Sequence, residues 1–170
     1  YKIQEMDFAF IETQISLVIN PLVANVEKFR KMSNNFNFVR VENNDNLSDL
    51  VDKISDDMFS TDRIALDHRF GISIANKRYK NWILSDFYQN DVEIFKINKK
   101  DKNIGFVMIN TSNKKEINIM LGGIYSEFQG LGYGWNIVYQ PIEYYSKFNA
   151  NALKTKVSSN NLEVLKLYIA

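Results

Sequence analysis

The chain has 170 residues, 45% of them hydrophobic, which is enough for one globular core and short for two full domains. Its 21 basic and 20 acidic residues leave a net charge of +1, without the basic excess that marks nucleic-acid-binding proteins. There is no cysteine, and His68 is the single histidine, so a disulfide scaffold, a thiolate metal site and a multi-histidine metal centre within one chain are all excluded. No run of about 18 apolar residues occurs, so no membrane-spanning helix is predicted. The opening YKIQEMDFAF lacks the basic-then-apolar order of a signal peptide, and a cytoplasmic location is expected. The chain starts without methionine and stops at Ala170 inside a helical pattern, so both ends read as cut.

In chain order, ETQISLVI (12–19) and FNFVRVE (36–42) alternate apolar and polar residues and predict strands. Between them, PLVANVEKFRKMSNN fits either a short helix or a loop. Leu47, Leu50, Val51, Ile54 and Met58 recur at helical spacing, which predicts a helix over 46–58 with Asp45 and Asn46 able to cap it. A polar stretch, FSTDRIALDHRFG, leads to a second helix over 73–88, where Ala75, Tyr79, Trp82, Ile83 and Phe87 lie near one face. VEIFKIN and IGFVMIN flank the short turn KKDKN as a β-hairpin. EINIMLGGIY (116–125) is a third consecutive strand. A glycine loop then enters a helix over 133–147, kinked at Pro141. LKTKVSS (153–159) is a further strand, and Asn160 or Asn161 opens the last helix. Consecutive strands followed by crossovers predict a mixed α/β sheet covered by helices. One domain accounts for residues 36–170, with residues 1–35 as an N-terminal flank.

Five of the seven glycines fall between positions 122 and 134. In GGIYSEFQGLGYGWNIV a strand feeds a turn and the turn feeds a helix. Gly130, Gly132 and Gly134 leave backbone amides uncovered at a helix N-terminus, where unpaired donors and the helix dipole favour an anion. A phosphate ligand is the functional reading, and a tight turn that needs glycine is the plainer one. Gly134 is followed by Trp135 and Asn136 rather than Lys and Ser or Thr, which argues against a Walker loop. No GxGxxG with a following acidic residue can be drawn, which argues against a dinucleotide site.

What remains, Gln129, Gly130, Leu131, Gly132, Tyr133 and Gly134, resembles the acetyl-CoA signature of the GCN5-related N-acetyltransferase (GNAT) superfamily, R/Q-x-x-G-x-G/A at a strand-to-helix junction. Gln129, Gly132 and Gly134 match it, and Ile124 stands where the family has an apolar residue ending the preceding strand. The element order from 36 to 170 agrees. So does a downstream N-x-x-A-x-x-L-Y, met by Asn161, Val164, Leu167 and Tyr168 with valine in place of alanine. The family's Gly-Phe after that helix and its last two strands have no counterpart before Ala170. The resemblance implies a mixed, mostly antiparallel α/β (α+β) sheet flanked by helices, with acetyl-CoA as acyl donor and no metal. The amides of residues 129–134 would hold the pyrophosphate, and the splayed edge of the 116–125 strand would receive the pantetheine arm. Gly122 and Gly123 would suit a bulge there, or would simply bend an edge strand. Asn161 would contact coenzyme A, cap its helix, or do both. Tyr168 would be the general acid to the leaving thiolate.

Amine acetylation also needs an unprotonated amine and an oxyanion donor. No base is evident: Glu116 and Asn118 face either an acceptor cavity or solvent, and His68 reads as a solvated loop residue. FSTDRIALDHRF, ANKRYKNWI and residues 8–19 resemble a narrower group, the N-acetyltransferases of nucleotide-linked amino sugars of the TDP-fucosamine type. That likeness implies Asp62, Arg63, Asp67, Arg69, Tyr79 and Trp82 on the acceptor side, with arginines for phosphates and aromatics for stacking. The plainer reading is a solvated loop and a core-facing helix stripe. The expected function is N-acetylation of a nucleotide-linked amino sugar by direct attack, since no cysteine can carry the acyl group. Another small-molecule or protein amine as acceptor, and a non-catalytic acyl-CoA-binding module, are the alternatives. No nucleic-acid partner is expected, and the resemblance allows a homodimer.

Overall fold

The computed structural model describes residues 10–20 and 27–169. Residues 1–9 and 21–26 lie outside the described residues, and with them the start of the 8–19 likeness and part of the segment that fitted either helix or loop. The strands are β1 (Gln14–Ile19), β2 (Phe36–Arg40), β3 (Val92–Lys99), β4 (Lys102–Asn110), β5 (Glu116–Ile124) and β6 (Ala152–Ser158). The helices are α1 (Glu27–Ser33), α2 (Asn44–Asp52), α3 (Arg63–Leu66), α4 (Gly71–Asp86), α5 (Asn136–Ser146) and α6 (Leu162–Ile169). All six strands join one sheet in the order β1-β6-β5-β4-β3-β2. Every neighbouring pair is antiparallel except β5 and β6, which run parallel.

Alternation along the central strands builds two cores. Ile94, Phe106 and Met108 face Leu47, Leu50 and Val51 of α2 and Tyr79 and Ile83 of α4. Phe95, Val107 and Ile109 face Ile137, Ile142 and Tyr145 of α5 on the other side. Because side chains alternate between faces and both faces are covered, β4 reads as an unbroken apolar run from Ile104 to Ile109, and β3 is buried continuously from Ile94 to Ile97. β1, from the segment expected to flank the domain, is an edge strand of the same sheet, paired with β6 from Gln14↔Ser158 to Ile19↔Leu153.

Several boundaries differ from the sequence reading. α2 ends at Asp52, and Asn43 caps it, its Oδ1 accepting from the Asn46 amide at 2.9 Å. The apolar spacing nevertheless continues through Ile54 and Met58, because these residues pack onto the same core from turns rather than from a helix. The polar stretch that follows holds the short helix α3, with Asp62 at its N-cap. α4 starts at Gly71, which takes φ +75°, and buries Ala75, Tyr79 and Ile83 while Trp82 stays half-buried. α5 begins at Asn136, after a tighter turn in which the Asn136 amide bonds Tyr133 O at 3.1 Å and the Ile137 amide bonds Gly134 O at 3.0 Å. It runs on through Pro141. Among the described residues no helix is long and apolar enough to cross a membrane.

β4 and β5 approach closely at Gly105, where an added Cβ would lie 2.4 Å from the carbonyl oxygen of Gly123. That oxygen is fixed in the ladder and cannot move aside as a side-chain tip could. Gly105→Ala is therefore expected to destabilise the protein by about 1–3 kcal/mol, the usual cost of overpacking. Chemical denaturation measures this, and a variant as stable as the parent would show that the two strands have slack there.

Candidate active site

β5 and β6 pair for four rungs, ending at Ile119↔Thr155, and then separate. On its other edge β5 stays bonded to β4 as far as Gly105↔Ile124. The register slips between Met108↔Leu121 and Ile109↔Ile119, so Met120 is the extra residue of a β-bulge where the two parallel strands part. The bulge is thus not at Gly122 and Gly123, which sit in regular register opposite Val107 and Phe106. Close packing explains both glycines. A Cβ on Gly122 would be 3.0 Å from Cγ2 of Ile137, and one on Gly123 would be 2.2 Å from Cε of Met58.

Past the bulge, the Tyr125 amide bonds Ile104 O at 3.0 Å, on the β4 side. Successive residues of a strand turn their N–H and C=O groups to opposite edges, so Gly122 and Ile124 present theirs to the open side. One of these groups is occupied: Gln129 Nε2 donates to Ile124 O at 2.9 Å. The loop bearing Met58 is tied to the end of β5 by Asp57, which accepts from Ser55 Oγ at 2.7 Å and Ser126 Oγ at 3.1 Å. These hydroxyls, Ser55 first, hold the Asp57 carboxyl below its usual range.

The glycine loop follows a single 3-10 turn, Ser126–Phe128. Gly130 and Gly132 take φ of +74° and +75°, a region that a β-carbon disfavours. Among the described residues, no acceptor meets the backbone amides of Gly130, Leu131, Gly132, Tyr133, Gly134 or Trp135. Leu131 is exposed, so the tip is open to a ligand. Tyr133 is braced by Phe36, at 5.5 Å between ring centroids, and by Lys99, whose Nζ lies 4.1 Å from the ring and bonds the hydroxyl. Fully buried Asn136 pins the exit of the loop: its Nδ2 donates to Tyr133 O at 2.9 Å, and its Oδ1 accepts from Gln140 at 3.2 Å. Unpaired amides next to the start of α5 are an arrangement that can take an anion.

α6 is capped by Asn161, whose Oδ1 accepts from the Val164 amide at 3.1 Å. Tyr168, half-buried on this helix, lies beside Thr155. Thr155 is itself buried and donates its hydroxyl to Ile119 O at 3.2 Å, across the last rung before the strands part. Burial pushes the Tyr168 phenol up to about 12, and the Thr155 hydroxyl, which favours the phenolate, offsets part of the rise. The phenol therefore carries its proton at neutral pH, as a general acid must. Thr155 went unread in the sequence, although LKTKVSS places it on the buried face between Leu153 and Val157, where a polar side chain needs a partner.

The acceptor-side candidates divide. Asp62 caps α3 and accepts from the hydroxyl of buried Tyr79, whose phenol is pushed up mainly by burial. Arg69 grips buried Asp67, with Nη2 2.6 Å from Oδ2 and Nε 2.9 Å from Oδ1, and this contact lowers the Asp67 carboxyl to about 2. Trp82 donates to Asp86 at 2.7 Å and stands under Arg78. Only Arg63 of this set is exposed without an in-chain partner among the described residues. Glu116 pairs with Lys154 at 2.9 Å, and both it and Asn118 are exposed on the paired half of β5. His68 is 85% exposed in its side chain, a solvated residue. No group of three or more acidic or histidine residues that could hold a metal occurs among the described residues.

A sequence model described as the Acetyltransferase (GNAT) family matches residues 54–169. No curated protein matches the sequence. Among solved structures, a functionally unknown conserved protein from Staphylococcus epidermidis is similar at a TM-score of 0.62 and 20% identity. The match covers 98% of this chain and 60% of that one, so the chain spans about 60% of that protein's length. Spermidine N-acetyltransferase SpeG from Vibrio cholerae, solved with CoA and spermine, is similar at a TM-score of 0.56 and 15% identity, over 79% of this chain and 78% of its own. Likeness at these identities is likeness of fold.

The capping bond of Asn161 fixes the helix that carries Tyr168. Asn161→Ala is expected to cost about 1 kcal/mol and to lower Tm by about 2–4 °C. Thermal denaturation checks this, and an unchanged Tm would show that α6 is held by its packing alone.

Proposed function

The chain belongs to the acetyltransferase (GNAT) family, and we propose that it transfers the acetyl group of acetyl-CoA directly to the amine of a small molecule. The observation that carries this reading is the gap between β5 and β6, with unpaired amides at one end and a protonated phenol beside its apex. The amides of residues 130–135 suit the pyrophosphate of the donor. The open edge at Gly122 and Ile124 suits the amide groups of the pantetheine arm, bound as an added strand. The thioester then reaches the region of Thr155 and Tyr168. The acceptor nitrogen attacks the carbonyl carbon as the C–S bond breaks. The nitrogen attacks as the neutral amine, becomes positively charged as its bond to carbon forms and then loses a proton to water, while Tyr168 gives its own proton to the thiolate and recovers one from solvent. No cysteine is present to hold the acyl group in between.

For the acceptor, the likeness around residues 59–83 supports a nucleotide-linked amino sugar, and the unpartnered Arg63 supports an anionic group on it. A polyamine is the second reading, favoured by the similarity of fold to a spermidine N-acetyltransferase.

Acetyl-CoA is expected to raise Tm, with about 2.7 kcal/mol of stabilisation at a hundred times Kd. Gly132→Ala, which forces a β-carbon into the left-handed region at the cradle, should shrink that gain. Absence of any shift in the parent protein would remove the donor site.

Tyr168→Phe is expected to lower kcat by about 10²–10⁴, the usual contribution of a general acid, with little change in the KM for acetyl-CoA. An acid works below its pKa, and a phenol raised to about 12 stays competent through the alkaline range. The kcat/KM profile should therefore rise as the acceptor ammonium deprotonates and show no falling limb from Tyr168 up to about pH 10. Turnover unchanged in the phenylalanine variant would exclude the acid role.

A further inference from the structure

A second concavity lies beyond the gap, and the acetyltransferase reading does not account for it. It is a groove of about 410 Å³, with Phe10, Ile11 and Glu12 on one wall and Arg63, Ile64 and Asp67 of the α3 region on the other. Its position follows from register. Gln14 pairs with Ser158, three residues past Thr155, and so lies about 10 Å along β6 from the apex, toward the end where β5 has left. The segment before β1 is fastened to the entry of α6. The Ser159 amide bonds Thr13 O at 2.8 Å, and Asn160 Nδ2 bonds Ile11 O at 3.3 Å.

Among the described residues, two charged groups in this groove lack full partners. Oε2 of Glu12 is buried and has no hydrogen-bond partner, while Oε1 receives only a long contact from Gln14 at 3.4 Å. A buried carboxylate oxygen without a donor is costly, which makes it a ready acceptor for a ligand N–H or O–H. The Arg63 guanidinium is exposed and makes no ion pair or hydrogen bond among the described residues, so none of them occupies its fork of donors. The two do not pair with each other. Asp67, the other acid of the groove, is already neutralised by Arg69.

We propose that this groove binds the acceptor, and that Arg63 and Glu12 select an amine that also carries a phosphate or carboxylate and a further hydroxyl or N–H donor. Arg63 takes the acid group and Glu12 takes the donor. The reacting nitrogen reaches the apex, which by the register lies more than about 10 Å from Glu12, so Glu12 binds a remote part of the acceptor and is not its base. A polyamine, cationic along its length, meets Arg63 as a like charge. This inference rests on the acetyltransferase reading, but acceptor binding tests it separately.

The test uses the full chain, with Glu12→Gln and Arg63→Gln as variants. The probes are UDP-glucosamine, glucosamine 6-phosphate, L-lysine and spermidine. Each probe is first added without donor, reading Tm, and then with acetyl-CoA, reading thiol release. One of the acid-bearing amines should stabilise the parent protein and be turned over, with kcat/KM at least about tenfold above spermidine. Arg63→Gln and Glu12→Gln should each raise the KM for that probe about 10- to 100-fold, as loss of a charged hydrogen bond does. The KM for acetyl-CoA should stay within about twofold, since neither residue lies in the donor cradle. A nucleotide sugar, a sugar phosphate or an amino acid as the best probe identifies the source of the acid group. A preference for spermidine, no stabilisation by any acid-bearing probe, or variants with unchanged acceptor KM would overturn the proposal. If acetyl-CoA fails to bind while an acid-bearing probe still stabilises the parent and not Arg63→Gln, the donor reading falls and the groove assignment stands.

Discussion

Two parallel strands that pair for four rungs and then part leave backbone donors and acceptors without partners in the middle of a sheet. The cost of such groups makes this gap the constraint from which the site follows. It is held open from three sides. The bulge at Met120 turns β5 while leaving its bonds to β4 intact. β1 binds the far edge of β6, so β6 does not swing back to close the sheet. Below the apex, Thr155 closes the last rung through its side chain, donating to Ile119 O. A ligand that supplies N–H and C=O groups along its length would suit such a gap, and the glycine loop at its end would offer it an anion site.

The glycine loop of this arrangement was legible in the sequence because it is local. Gln129, Gly130, Gly132 and Gly134 lie within six residues of one another, and the left-handed φ of Gly130 and Gly132 is the property for which glycine is used in a turn. The pairing of Asn161 with Tyr168 is likewise one helix, a cap followed by its second turn. What was misread depended on contacts between distant segments. Gly122 and Gly123 suggest a bulge, but a glycine in a strand serves equally for close approach, and only the neighbours Ile137 and Met58 decide between the two. The helix expected to reach residue 58 stops at Asp52 because the apolar period persists in residues that pack as turns. Thr155 carried no signal beyond being polar on a buried face. The parting of β5 and β6 at that residue is a property of the register and not of any single strand.

The acceptor side was less legible for a related reason. Charged and aromatic residues in 62–82 suggest recognition, yet most of them hold the segment together. Tyr79 bonds Asp62, Arg69 bonds Asp67 and Trp82 bonds Asp86. A side chain already satisfied within the fold has little left to give a ligand, so exclusion of these pairs is what singles out Arg63. The N-terminal segment contributes the facing wall of the groove, so in the proposed reading its edge strand would serve the acceptor as well as the sheet.

The glycine loop and the helix bearing Tyr168 are also mechanically joined. A Cβ on Gly134 would stand 2.9 Å from Cδ1 of Leu167, the residue before Tyr168, so the end of the glycine loop rests directly on α6. Glycine at that position does more than expose an amide. It lets the helix bearing the phenol approach the loop that would carry the pyrophosphate. Any displacement of α6 outward to admit a larger side chain would move Tyr168 from Thr155 and the apex. Close packing transmits such shifts rather than absorbing them. The spacing between the glycine loop and Tyr168, the two ends of the proposed donor site, is therefore set by a glycine–leucine contact that neither motif reveals by itself.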